Sequence, residues 1–122
     1  MSGEMDTARQ ADPVRERAFR DAMGLFPTGV TLVSARGPDG EDQAITANSV
    51  TSVSLDPLLL LVCVEHASRL HHVVLAAGRF AVSVLGLDGE PLSRKLALRG
   101  HDTEGALAGV PYHRGPHTGA LL

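Results

Sequence analysis

Thr46, Asn48, Ser49, Thr51, Ser52 and Ser54 put hydroxyl and amide groups at six of nine consecutive positions, in a stretch that reads ITANSVTSVSLDP from Ile45. Small side chains leave the neighbouring N–H groups accessible. Several short donors converging on one point suit a phosphate or the polar edge of a ring. The same run also reads as a Ser/Thr-rich edge strand followed by a turn, and the residues alone leave both readings open. A second group with chemical potential follows at Glu65-His66-Ala67-Ser68-Arg69. Ser68 is a natural N-cap, so the free N–H groups and positive dipole end of a helix would lie beside the Arg69 charge, as in an anion site. Arg69 reads equally as a solvated surface arginine.

Other chemistries find little support. Of the six histidines, His71 and His72 are adjacent and would point to different faces of a helix. His101, His113 and His117 lie in a loop-like region without a carboxylate at a standard ligand offset, so no metal site is expected. The sequence contains no Gly-x-Gly-x-x-Gly, phosphate-loop lysine motif or Gly-x-Ser-x-Gly elbow, which argues against a Rossmann unit and a hydrolase nucleophile.

The elements that must position these groups can be read in order. Residues 1–12 form a polar lead that is expected to be flexible, ending in Asp12 as the N-cap of a first helix. With Pro13 at its first position, that helix runs to about Leu25, and its stripe of Val14, Ala18, Ala22 and Phe26 is expected to pack on a sheet. Val30 to Ala35 is a β-branched strand, joined through Gly37-Pro38-Asp39-Gly40 to a second strand from Asp42, hence a hairpin. Leu58 to Val64 is an unbroken run of seven apolar residues, expected to be a core strand buried on both faces. A helix from Arg69 to Ala77 follows, capped by Ser68 and stopped by Gly78, with Leu70, Val73, Val74 and Ala77 on one face. Phe80 to Leu85 reads as a further strand, Pro91 to Leu98 as a helix with Leu92 and Leu96 inward, and residues 101–122 as loop. Hairpins and short helices without a regular strand-helix-strand repeat predict a mainly β fold, an antiparallel barrel with peripheral helices.

A chain of 122 residues and 12.8 kDa is one domain, taken here as residues 13–122. The formal charge of −3 and the absence of a Lys/Arg cluster remove the electrostatic footprint of a nucleic-acid binder. No apolar run is long enough for a membrane-spanning helix, and no basic region followed by an apolar core marks a secretory signal. Cys63 is the single cysteine and lies in the apolar run. It is expected to be a buried, inert thiol, and with the lack of a signal it suggests the cytoplasm.

The string TANSVTSVSLDP from Thr46, with PTGVTLVSA upstream from Pro27 and AAGRFAVSVL downstream from Ala76, resembles the flavin reductase family over about Phe19 to Leu122. These are short FMN-binding split-barrel proteins that serve as NADH:flavin oxidoreductases, often as the small component of two-component monooxygenases. Val50 stands where the family often has Phe, and Leu58 where a second Pro commonly follows Asp-Pro. Gly89 and Leu96 replace the usual Gln and Phe of a later helix.

The resemblance implies a split β-barrel, a homodimer with flavin near its interface, and specific site residues. Thr46, Ala47, Asn48 and Ser49 would meet the flavin ring edge and ribityl chain. Ser52, Ser68 and Arg69 would serve the phosphate, and Cys63, Val64 and Glu65 would line the site with backbone groups. Thr28, in a Pro-x-Gly-Val segment, would lie near the ring; the alternative is that Gly29 simply permits a tight turn. The expected reaction passes hydride from NADH or NADPH to FMN, with FAD or riboflavin as other acceptors, and delivers reduced flavin to a partner monooxygenase. No catalytic acid or base is needed, because positioning two rings does most of the work. A non-catalytic flavin-binding protein of the same fold is the rival. The family continues into further strands and a Gly-Asp-His segment where this sequence stops at Leu122, so a fragment of a longer reductase is expected; Gly100-His101-Asp102 has a different order.

Overall fold

The computed structural model of the chain describes residues 12–122. Its strands form two antiparallel sheets, with helices packed against the larger one, which agrees with the mainly β architecture expected. β1 (Thr31–Arg36) and β2 (Asp42–Ala47) pair as the expected hairpin, from Thr31 opposite Ala47 to Arg36 opposite Asp42. Their turn closes through Gly37 N–H to the Glu41 carbonyl at 2.8 Å, and Gly40 takes a left-handed φ of 86° that a side chain would strain. β3 (Val50–Leu55) and β4 (Leu58–Val62) make the separate two-stranded sheet, with an irregularity between Ser52 and Ser54. β5 (Ala81–Val84) adds to the free edge of β1, giving the order β2-β1-β5.

β1 is central and is buried from Thr31 to Ala35, because successive side chains face two different cores. On one face Val33 and Ala35 pack with Ala47, Leu70 and Val73, so α2 (Arg69–Ala77) is held down by its own apolar stripe. On the other, Leu32 packs with Ala44, Leu96 and Ala106, which seats α3 (Glu90–Leu96) and α4 (Thr103–Ala106). A short 3-10 turn, Leu87–Gly89, leads into α3.

Four expectations need correction. α1 (Pro13–Met23) is capped by Asp12 as expected, with Val14 N–H donating to its carboxylate at 3.0 Å, but it buries no residue. Its apolar side chains, Val14 at 76% and Phe19 at 67% exposure among them, are exposed and do not cover the sheet as expected. Leu58 to Leu61 of β4 are likewise exposed, because a two-stranded sheet with no described helix laid over it cannot bury both of its faces. Cys63, just beyond β4, is exposed rather than buried for the same reason. The region 101–122 is not all loop: it contains α4 and a bridge between Arg114 and Leu121.

That last segment folds back onto β1 and β2. The Ser34 hydroxyl donates to the Leu121 carbonyl, and Asp42 receives Arg114 through both carboxylate oxygens at 2.8 and 2.7 Å, with Arg36 at 3.3 Å. The Arg114 hydrogen bonds hold the Asp42 carboxyl below its ordinary value against an opposing desolvation. A depressed carboxyl contributes stability above its unfolded value, about 3.9, and loses it as pH falls through the folded value. Asp42→Asn is therefore expected to lose about 1–2 kcal/mol of stability at neutral pH, with the deficit closing below about pH 3.9. Urea unfolding of both proteins across that range checks it, and a deficit independent of pH would point to packing instead.

Candidate functional site

A cleft of about 420 Å³ opens between β2, the start of α2 and the end of α3. Thr46, Glu65, Ser68 and Arg69, all expected in the site, line it. Ser68 begins α2: its N–H donates to the Glu65 carbonyl at 2.9 Å, and its Oγ accepts from Leu70 N–H at 3.3 Å. Because that oxygen is used as an acceptor, its O–H remains a donor for a ligand. Burial of Leu70 and Val73 against β1 fixes where the first turn of α2 points, and the helix dipole adds to the attraction for an anion.

Arg69 stands at this turn, yet its side chain is already paired. Its Nε donates to Glu41 Oε1 at 2.9 Å and its Nη2 to Oε2 at 2.7 Å, while Gln43 Nε2 donates to Oε1 at 3.2 Å. Hydrogen bonds from Arg69 hold the Glu41 carboxyl below its usual range, and Glu41 in turn raises the guanidinium above its own. The Nη1 edge of the guanidinium makes no hydrogen bond among the described residues.

The hydroxyl-rich stretch is less free than its composition implies. Thr46 donates its hydroxyl to the Ser93 carbonyl on α3, Ser49 donates to the Cys63 carbonyl at 2.8 Å, and Thr31 donates to the Ala47 carbonyl at 2.6 Å. Thr46 and Ser49 can thus only accept further bonds. Cys63 N–H returns to the Ser49 carbonyl at 3.1 Å, so this pair staples the open ends of β3 and β4. Ala47 is buried in the core, Val64 packs partly against it, and Asn48 and Ser52 are exposed. Ala47, Asn48, Ser49, Ser52, Cys63, Val64 and Thr28 do not line the cleft, and Thr28 lies exposed before β1.

Residues past α3 were missed from the sequence. Leu96 to His101 form the far wall, bringing Arg99 and His101 to the cleft. His101 Nδ1 lies 2.8 Å from the Leu98 carbonyl and Nε2 lies 2.7 Å from the Ala44 carbonyl. The ring thus sits between the two carbonyls and ties this wall to β2. No local signal could have shown this, since Ala44 is 57 residues away. Among the described residues no group of three or more His, Cys, Asp or Glu could hold a metal ion, although His66 stacks on His71 at 4.7 Å. No described helix is long and apolar enough to cross a membrane.

The model of the flavin reductase like domain matches residues 23–122. The chain is 43% identical over 108 residues to the stachydrine N-demethylase reductase subunit Stc3 of Rhizobium meliloti, covering 88% of this chain and 46% of that protein. It is 40% identical over 119 residues to the NADH:riboflavin 5'-phosphate oxidoreductase of Streptomyces pristinaespiralis, covering 92% of this chain and 66% of that one. The crystal structure of BorF, the flavin reductase component of a bacterial two-component tryptophan halogenase, superposes with a TM-score of 0.78 at 42% identity, over 88% of this chain and 66% of that chain. The chain thus spans less than half the length of the Rhizobium subunit. With the domain matched from the end of α1 to Leu122, this chain belongs to the flavin reductase like domain family.

Proposed function

We propose that this chain is the flavin-binding part of an NAD(P)H-dependent flavin reductase that supplies reduced flavin to a partner monooxygenase. The observation that carries the reading is the cleft that joins Ser68 and Arg69, at a helix N-terminus, to Thr46 on β2. Its donors fit a phosphate: the Ser68 O–H, the Arg69 backbone N–H and the open edge of the Arg69 guanidinium. FMN supplies a ring that accepts hydride from the nicotinamide. The protein holds the phosphate, accepts hydrogen bonds through Thr46, offers Asn48 and Ser52 at the exposed end of the hydroxyl-rich stretch, and orients the ring for face-to-face approach. FAD and riboflavin are alternative acceptors, and either NADH or NADPH is the donor.

The finer architecture belongs to the same proposal. The two sheets are parts of a split β-barrel, and the exposed apolar residues of α1 and β4 are covered when two copies form a homodimer working in the cytoplasm. Ala47, Ser49, Cys63 and Val64 then support the flavin from the β3–β4 end, and Thr28 approaches it from the segment before β1.

The test is NADH and NADPH oxidation by the full-length protein with and without added FMN. Oxidation that depends on FMN is the expected result. A protein that carries a flavin absorption band but oxidises neither donor is a non-catalytic flavin binder, and this outcome would overturn the enzymatic reading.

A further inference from the structure

Arg69 is the charge best placed to receive a flavin phosphate, yet a residue of the chain already holds it. Glu41 sits immediately after the β1–β2 turn, where its backbone is fixed by Gly37 N–H to its carbonyl at 2.8 Å and by its own N–H to Asp39 Oδ1 at 3.1 Å. From there both carboxylate oxygens meet the Nε/Nη2 edge of Arg69. Glu41 does not line the cleft. It lies in a neighbouring groove with Pro38, His72 and Ala76, and Arg69 borders both spaces. The ion pair therefore turns one bidentate edge of the guanidinium away from the cleft and sets a negative charge behind the site.

Resting on the phosphate placement proposed above, we propose that Glu41 is a resident counter-anion of Arg69 which competes with the flavin phosphate, so that it narrows the protein's preference for FMN over riboflavin. A guanidinium has two edges that can grip an oxyanion with two parallel hydrogen bonds, and here the carboxylate occupies one. An arriving phosphate either takes the other edge against the repulsion of Glu41 or displaces Glu41 altogether. Either route costs phosphate affinity, and riboflavin, which has no phosphate, is indifferent to both. A looser copy of the arrangement stands across the cleft, where Arg99 Nη2 lies 3.4 Å from Glu65 Oε1. The two arginines lining the cleft are thus each paired with a carboxylate of the chain itself. Gln43 completes the first pair by donating to Glu41 Oε1, which helps to keep the carboxylate aimed at Arg69 when the cleft is empty.

The experiment titrates FMN and riboflavin into full-length wild type, Glu41→Gln, Glu41→Ala and Arg69→Ala. Glu41→Gln keeps the shape and removes the charge, and is expected to bind FMN roughly two- to fivefold more tightly, as for loss of an exposed ion pair, with riboflavin unchanged. Glu41→Ala should do the same, and it serves if the first variant does not fold. FMN affinity that is unchanged or weaker in the folded variants overturns the proposal. Arg69→Ala separates the two levels: if it leaves the FMN-to-riboflavin ratio at the wild-type value, the phosphate placement itself fails. In wild type, the Arg69 Nε–H resonance should move on addition of FMN and stay in place with riboflavin. A resonance indifferent to both ligands also overturns the proposal.

Discussion

Arg69→Ala is expected to weaken FMN binding roughly 10- to 150-fold, as for loss of a charge-assisted contact to phosphate, and to leave riboflavin binding close to wild type. The size of the effect follows from position. Arg69 occupies the first turn of α2, where the Ser68 hydroxyl and the helix dipole favour an anion, and the guanidinium adds a full positive charge. The dependence on phosphate follows from chemistry, since the two flavins share the ring and ribityl chain and differ in the group that Arg69 would meet. Isothermal titration with both ligands reads it directly. Equal weakening for FMN and riboflavin would mean that Arg69 shapes the cleft instead of binding the phosphate, and no weakening would remove it from the site.

Leu70→Ala should cost about 2–5 kcal/mol of stability, the range for removing a fully enclosed leucine and leaving a cavity. Leu70 has no exposed surface, and it packs with Val33, Ala35, Ala47 and Val73 where α2 crosses β1 and β2. The same contact sets the direction of the helix start, so FMN affinity should fall together with stability. Urea unfolding at constant temperature measures the first, and titration under folding conditions the second. A loss below about 1 kcal/mol would show that α2 is not anchored as described, because a change that small is nearer to the roughly 0.5 kcal/mol of a surface substitution than to the loss of an enclosed leucine.

The β1–β2 hairpin and α2 were legible because their signals are local. Gly37-Pro38-Asp39-Gly40 supplies a turn that few other residues could make, and Ser68 and Gly78 cap and stop a helix whose apolar spacing matches its period. The cap, helix start and cation at Ser68–Arg69, on which the proposed phosphate site rests, belong to the same class, since they are neighbours in sequence. Legible too was the antiparallel pairing of β1 with β2 and of β3 with β4, which follows from closely spaced strands joined by short turns.

Burial was not legible wherever it depends on what lies across from an element. The stripe of α1 and the leucines of β4 have the periodicity and hydrophobicity of core residues, but periodicity states only that a face is apolar and not that anything covers it. Cys63 misleads for the same reason: its neighbours in sequence are apolar, and its surroundings in space are open. The site divides along the same line. Composition showed that hydroxyl donors are plentiful from Thr46 to Ser54, but a donor is available to a ligand only if no carbonyl of the chain has claimed it. Ser93 and Cys63, which claim those of Thr46 and Ser49, are 47 and 14 residues away. Glu41 reaches Arg69 across 28 residues and His101 reaches Ala44 across 57, contacts made possible by the packing of α2 and of the α3–α4 segment onto the sheet. By itself, then, the sequence determined which residues carry hydrogen-bonding groups and which local elements present them. Only the tertiary structure decided which of their hydrogen-bonding groups are still free, because that depends on partners brought together by packing and not by neighbourhood in the chain.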